Sequence, residues 1–261
     1  MAAWRIPVRL AQIGRAGIDL LFPPACVGCG RAGYLFCPTC EQAVAPVPEP
    51  RCASCGRSQP APVERCPQCR RRAGDPLLKM RAAALHTHPL REAIHALKYE
   101  GRTELAGSLA RYLAAAYADP LWRTLPRPID AVTPVPLHAA RLTERGYNQS
   151  ALLAAAFCAA TGLPLQTSWL ARARETRPQV GLGPVERQAN VDGAFTADPA
   201  AAGKVILLVD DVLTTGATLR ACAAAVDAVG AFAVYGLTLS QPAPRAVASG
   251  RPDDGWWDGN I

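Results

Sequence analysis

The sequence predicts an α/β protein: an open, mainly parallel sheet with flanking helices, preceded by a small Cys-rich metal-binding region. Three observations carry that prediction. Residues 205–239 run strand, loop, helix, strand, the order of a βαβ crossover. Four C-x-x-C pairs crowd into residues 26–69. The composition, 50% hydrophobic and 19% charged with a mean hydropathy of +0.06, suits an ordered core and excludes a mostly disordered chain. Aromatics make up only 6%, so Ala, Leu and Val must build that core. At 261 residues the chain has room for one large domain or two modest ones. It has no run of about 18 apolar residues, so no membrane-spanning helix is expected.

The cysteines come as Cys26/Cys29, Cys37/Cys40, Cys52/Cys55 and Cys66/Cys69. Each C-x-x-C pair lets one tight knuckle put two sulfurs on the same ion. Four thiolates make the closed tetrahedral shell of structural zinc, with no open position for catalysis. A disulfide framework or redox pairs would need a secretory or βαβ redox context, and neither is visible. Short loops favour sequential pairing, 26/29/37/40 and 52/55/66/69; an interleaved brace is the alternative. Cys158 and Cys222 sit in Ala-rich helical stretches and read as small buried apolar residues.

The net charge of +7 is uneven. Residues 1–80 hold eleven basic and five acidic residues, a net of +6. Such a region suggests a polyanionic partner. Two zinc ions on eight thiolates would bring it down to about +2, leaving Arg70-Arg71-Arg72 as the local basic run. The first residues, with Arg5, Arg9, Arg15 and Asp19 among apolar side chains, read as an amphipathic docking helix. They lack the apolar core and cleavage site of a secretory signal, so a cytoplasmic location is expected.

The remaining elements follow in order. Residues 43–51 form a stiff Pro-rich spacer between the knuckle sets, and 73–80 lead out of the metal region. Residues 89–117 read as two helices parted at Gly101, with Leu105, Leu109, Tyr112, Leu113 and Ala116 at helical spacing in the second. Ile129–Val135 reads as a short buried strand. Residues 148–161 form a helix capped by Asn148 or Ser150 and ended by Gly162. A strand is expected at 164–170, then a long polar connection at 172–193. Val205–Val209 is a continuous apolar run, as a central parallel strand requires. A helix at 217–229, a strand from Phe232 to Leu239 and a loose tail complete the chain.

Chemistry concentrates after the central strand. Asp210 and Asp211 lie at its carboxyl end, where open α/β sheets bind ligands. Thr214-Thr215-Gly216-Ala217-Thr218 then opens a helix. Its free N–H groups, the helix dipole and three hydroxyls suit a phosphate, and Gly216 lets the backbone come close. The two carboxylates would repel that phosphate and suit ribose hydroxyls or Mg²⁺. The chemistry implied is a sugar phosphate.

Val-Ile-Leu-Leu-Val-Asp-Asp-Val-Leu-Thr-Thr-Gly-Ala-Thr resembles the phosphoribosyl pyrophosphate (PRPP) motif of type I phosphoribosyltransferases. Lys98-Tyr99, Pro134-Val-Pro-Leu, Arg141, Arg145-Gly-Tyr-Asn-Gln149 and the series Arg172, Arg174, Gln179, Arg187, Asn190 look like the ComF family. The Cys-rich start resembles that family's double zinc ribbon. The resemblance implies a lead-in over 1–20, a double zinc ribbon over 21–75, a type I phosphoribosyltransferase-like domain over 81–242 and a flexible tail over 243–261. It implies that Asp210, Asp211 and Thr214–Thr218 form the ribose and 5′-phosphate loop. It places the pyrophosphate loop after Val135, with Arg141 and Arg145 just beyond. Residues 172–190 match a flexible loop, with Arg174, Gln179, Arg187 and Asn190 as candidates. Thr214 departs from the 6-oxopurine branch, which carries an acidic base there, so no acceptor base is named. Three functions stay open: Mg²⁺-dependent phosphoribosyl transfer, PRPP sensing, or a competence accessory that handles single-stranded DNA with a helicase. Residues 20–80 offer only Phe22, Tyr34 and Phe36 for base stacking, so the sequence does not argue for strong direct DNA binding.

Overall fold

The structure is a computed structural model that describes residues 23–72, 74–174 and 184–244. The helix expected within 1–20, Gln179 and the tail from 245 fall outside those residues. The centre is a four-stranded sheet of β1 (Leu77–Leu85), β2 (Ala131–Pro134), β5 (Val205–Val212) and β6 (Ala233–Gln241). Its strand order is β1-β6-β5-β2 and every pair is parallel. Two further strands, β3 (Leu170–Arg172) and β4 (Phe195–Ala197), form a separate antiparallel ribbon.

Two short helices, α1 (Pro38–Gln42) and α2 (Pro67–Arg70), each start from a zinc-type knuckle. Helices α3 (Leu90–Tyr99) and α4 (Leu105–Tyr117) follow β1. Helices α5 (Ala139–Arg145) and α6 (Gln149–Thr161) follow β2. Helix α7 (Pro184–Val191) lies between β3 and β4, and α8 (Ala217–Ala228) joins β5 to β6.

Strand β5 shows why the sheet needs helices on both faces. Val205, Leu207 and Val209 pack with Leu105, Leu109, Leu113, Leu153 and Phe157 of α4 and α6. Ile206 and Leu208 point the other way and pack with Leu219, Cys222, Ala223 and Val226 of α8. Alternate residues of one strand thus serve two hydrophobic layers, so the run is apolar without a break. Cys158 and Cys222 are buried in these layers, one on each side.

Local signals place the elements. Asn148 Oδ1 accepts from Ser150 N at 3.0 Å to start α6, and Gly162 closes it in the left-handed conformation at φ 76°. The strand expected at 164–170 is replaced by a single parallel bridge, Val132 to Leu165, before β3 begins. The 172–193 connection is stapled at its base by the β3–β4 pair and contains α7. Strand β1 starts inside the stretch read as a lead-out. Its pattern is obscured by Arg81, which is buried at 7% exposure yet sits in a strand. Arg81 Nε lies 3.5 Å from Asp119 Oδ2, and Nη1 donates to Ala53 O at 3.2 Å. Partners that distant in sequence leave no local signature. Among the described residues no helix is long and apolar enough to cross a membrane.

The cysteines pair sequentially. Cys26, Cys29, Cys37 and Cys40 form one set and Cys52, Cys55, Cys66 and Cys69 the other, with the sulfurs of each set within 4.8 Å of one another. All ten cysteines are free of disulfides. Sγ–Sγ separations of 3.6 Å (Cys29–Cys37), 3.8 Å (Cys55–Cys66) and 4.0 Å (Cys52–Cys69) match the tetrahedron edge of about 3.8 Å set by a zinc–sulfur bond near 2.3 Å. In each set a second-knuckle amide donates to a first-knuckle sulfur: Cys37 N to Cys26 Sγ at 3.2 Å, and Cys66 N to Cys52 Sγ at 3.3 Å. Both sets therefore fit structural zinc.

Candidate functional site

The carboxyl ends of β1, β2 and β5, helix α5, the start of α8 and the end of α3 line a cavity of about 690 Å³. Asp210, Asp211, Thr214, Gly216, Ala217, Thr218, Arg141 and Arg145 all line it. The acid pair lies within β5 rather than after it, since the strand runs on to Val212. The pair is closely supported. Lys98 Nζ lies 2.8 Å from Asp211 Oδ1, and Gln149 Nε2 donates to Asp211 Oδ2 at 2.9 Å. Ser150 Oγ and Asp211 N both donate to Asp210 Oδ1 at 2.9 Å.

Arg141 and Arg145 stand four residues apart on α5, on one helical face. Arg145 Nη1 donates to Gln149 Oε1, so a continuous chain runs from Arg145 through Gln149 to Asp211 and Lys98. The Arg145 guanidinium also lies 5.1 Å from the Tyr99 ring centroid. Asn148 Nδ2 donates to Val135 O at 3.0 Å and fixes the loop that leads to α5. Tyr147 Oη donates to Leu97 O at 2.6 Å and ties α3 to the same corner.

Not every candidate lines the cavity. Thr215 is buried, and its Oγ1 accepts from Ala217 N at 3.2 Å, a turn-closing role. Arg174 is exposed and donates through Nη2 to the carbonyls of Asn190 and Asp192, at 3.3 and 2.6 Å. Arg187 lies on α7, and its side chain is outside the described set. Residues given no site role from sequence also line the cavity, among them His86, Lys98, Gln149 and Ser150. Lys98 carries a signal. It falls four residues after buried Ile94, on the inward face of an amphipathic helix, where an unpaired cation would be costly.

Electrostatics at this corner follow from burial. Burial and then the neighbouring Asp211 charge raise the Asp210 carboxyl from 3.8 to about 7, against the opposing pull of Lys98. Burial alone would lower Lys98, but Asp211 and Asp210 outweigh it and hold the ammonium above its ordinary value. His86 is pushed down to about 4 by burial and by Lys98; its Nδ1 lies 2.9 Å from Ser240 Oγ, and the ring is neutral at pH 7.

The shift at Asp210 sets a pH dependence. The unfolded chain releases this proton near pH 4, while the fold keeps it to about pH 7. Between those values the native state binds the extra proton, so this group's contribution to stability is lost as pH rises. In Asp210→Asn the amide oxygen still accepts from Ser150 and the titration is gone. Its thermal midpoint is expected to gain on the wild type by about 3–6 °C between pH 5 and pH 7.5. A difference independent of pH in parallel melts would remove the burial argument.

Fold and site together define an open parallel α/β protein whose acid pair and helix-opening loop share one cavity, joined to two four-cysteine ribbons. The chain belongs to the ComF family. The family model for the double zinc ribbon domain matches residues 17–73. The DNA utilization protein YhgH of Salmonella typhi is 33% identical over 182 residues, 64% of this chain and 80% of that protein. Competence protein F of Haemophilus influenzae is 29% identical, covering 71% of this chain and 81% of that protein. Competence protein ComFC of Bacillus subtilis is 27% identical, covering 70% and 74%. A solved glutamine PRPP amidotransferase from B. subtilis, complexed with ADP and GMP, aligns at 20% identity and a TM-score of 0.36. That match covers 55% of this chain and 30% of the enzyme.

Proposed function

We propose that the cavity binds PRPP with Mg²⁺ and that the protein serves DNA uptake and use in the cytoplasm. The observation that carries the reading is the juxtaposition of the acid pair, half-buried Asp210 and buried Asp211, with Thr214, Gly216, Ala217 and Thr218 of the loop in one cavity. The loop would take the 5′-phosphate on backbone amides, and Arg141 and Arg145 would take the pyrophosphate. The carboxylates would accept from the ribose hydroxyls. Lys98 and Gln149 already occupy Asp211, which leaves the Asp210, Asp211 and Lys98 cluster with a net charge of −1 when both acids are ionised. That balance suits a neutral diol better than direct ligation of a cation, so Mg²⁺ fits best on the pyrophosphate. Bound there, it would neutralise the leaving group. What the chain itself supplies is positioning: an acid pair against a cationic ribose, and arginines against the departing anion.

The names of the relatives support a role in competence or DNA use, with single-stranded DNA and a competence helicase as candidate partners. Of the aromatics described in the ribbon, Tyr34 is exposed and Phe36 is buried. One exposed ring is a poor stacking platform, so docking to a protein partner is the role proposed for the ribbon.

Calorimetric titration of the zinc-loaded protein with PRPP and Mg²⁺, with pyrophosphate release followed across a panel of bases, tests this reading. Saturable binding is expected. Base-dependent release would make the protein a transferase and name its acceptor; binding without release would make it a PRPP-responsive accessory. Absence of binding would overturn the proposal.

A further inference from the structure

Two arginines reach the loop from behind. Arg57 stands two residues beyond Cys55 in the second cysteine set. Its Nη2 donates to the Thr214 carbonyl at 2.5 Å, and its Nη1 donates to Gln68 Oε1, between Cys66 and Cys69. Arg220, on α8, donates from Nη1 to the Thr215 carbonyl at 2.8 Å. Its Nε is held by Asp75, in a pair whose side chains are 10% and 13% exposed. Neither arginine lines the cavity, whereas Thr214 and Gly216 do.

Peptide geometry converts these contacts into an orientation. In a planar trans peptide the carbonyl and the following N–H point in opposite directions. Holding the Thr214 and Thr215 carbonyls toward the arginines turns the amides of Thr215 and Gly216 away from them. Among the described residues those two amides donate to no backbone carbonyl. Gly216 adopts φ +79°, and a Cβ there would come within 2.4 Å of Arg220 Nη1, so only glycine lets the guanidinium reach its carbonyl. Arg72 belongs to the same group: burial, then Arg220 and Arg57, lower its pKa against the pull of Asp75. Three cations thus gather behind the loop with one carboxylate among them.

We infer that Arg57 is a positioning residue for the anion loop, and that the second cysteine set is the frame that holds it there. The ribbon is then part of the architecture of the cavity as well as a docking module. This inference rests on the PRPP reading only for the identity of the anion; the orientation of the loop stands on geometry.

Arg57→Ala and Arg57→Lys test it in the full-length zinc-loaded protein. Zinc content, amide hydrogen exchange and PRPP–Mg²⁺ affinity are measured on each. Both variants should keep the wild-type zinc content. In Arg57→Ala the amides of Ala217 and Arg220, whose acceptors lie in the loop, should exchange about tenfold faster, with PRPP affinity down about tenfold, as expected for loss of a charged hydrogen bond. Exchange in α6 should stay unchanged. Arg57→Lys, which keeps a donor, should recover part of both losses. Wild-type exchange in the Arg57→Ala loop would overturn the inference whether or not PRPP binds. Faster exchange with unaltered PRPP affinity would also overturn it, leaving Arg57 a contact of the fold alone. Should the wild type bind no PRPP, the PRPP reading falls, and the exchange data still decide the role of Arg57.

Discussion

Asp210→Asn combined with Asp211→Asn is expected to cut PRPP affinity at least about a hundredfold while the protein stays folded. The size follows from the proposed contacts. Two hydrogen bonds to charged acceptors, each contributing about 1.5–3 kcal/mol, amount to two or more decades in Kd. The fold should survive because the two substitutions act in opposite directions on it. Asn at 210 relieves a carboxyl that burial and Asp211 already disfavour, and its oxygen still accepts from Ser150. Asn at 211 takes away the ionic partner of Lys98, whose side chain is only 20% exposed. Circular dichroism of the variant separates loss of site from loss of fold. Wild-type affinity in calorimetry would remove the sugar-phosphate reading of the cavity.

Cys26→Ser should lose one of two zinc ions and lower the thermal midpoint by about 10 °C or more. Apparent zinc affinities of structural sites reach about 10–16 kcal/mol, comparable with the whole stability of a domain. The effect should pass beyond the ribbon. Cys26, Cys37 and Cys40 belong to the same hydrophobic cluster as Leu90, Ile94 and Leu97 of α3. Gly28 lies so close to the first turn of that helix that a Cβ would meet both Cys40 Sγ and Pro89 Cβ at 2.8 Å. Helix α3 carries Lys98 to Asp211, so loosening the first set should also weaken PRPP binding. Atomic absorption on the purified variant checks the metal; a full complement of zinc would show that Cys26 is not a ligand.

Much of this arrangement is legible in the chain itself. The continuous apolar run of β5 announces a strand covered on both faces, and the Asp-Asp followed by Thr-Thr-Gly-Ala-Thr announces an anion loop after an acid pair. The C-x-x-C spacing announces knuckles, and short loops favour the pairing the structure has. What stays hidden depends on contacts between distant segments. Strand β1 is masked by Arg81, whose burial makes sense only beside Asp119 and Ala53. Helix α5 occupies a stretch with no helical reading in the sequence, and only its turn puts Arg141 and Arg145 on one face. Lys98, Gln149 and Ser150 are visible as residues, yet their convergence on the acid pair needs α3 and α6 to meet β5. Thr215 reads as an equal member of its loop, but its hydroxyl turns inward to close a turn.

The Pro-rich segment joining the two cysteine sets has a consequence of its own. It runs beside the outermost strand: Leu85 N donates to Ala45 O at 2.8 Å, and Pro46 bridges Ala84 in antiparallel fashion. Farther along, Met80 N donates to Ser54 O at 2.8 Å and Arg81 Nη1 to Ala53 O at 3.2 Å. Without this cover β1 would present a row of open donors and acceptors, a template for another chain to add a strand. Prolines lack the N–H needed to recruit a further neighbour in turn, so the segment ends the hydrogen-bonded stack. The metal sets anchor it at both ends. The ribbon is therefore also the selvedge of the sheet, and holding zinc is part of what keeps one molecule from knitting to the next.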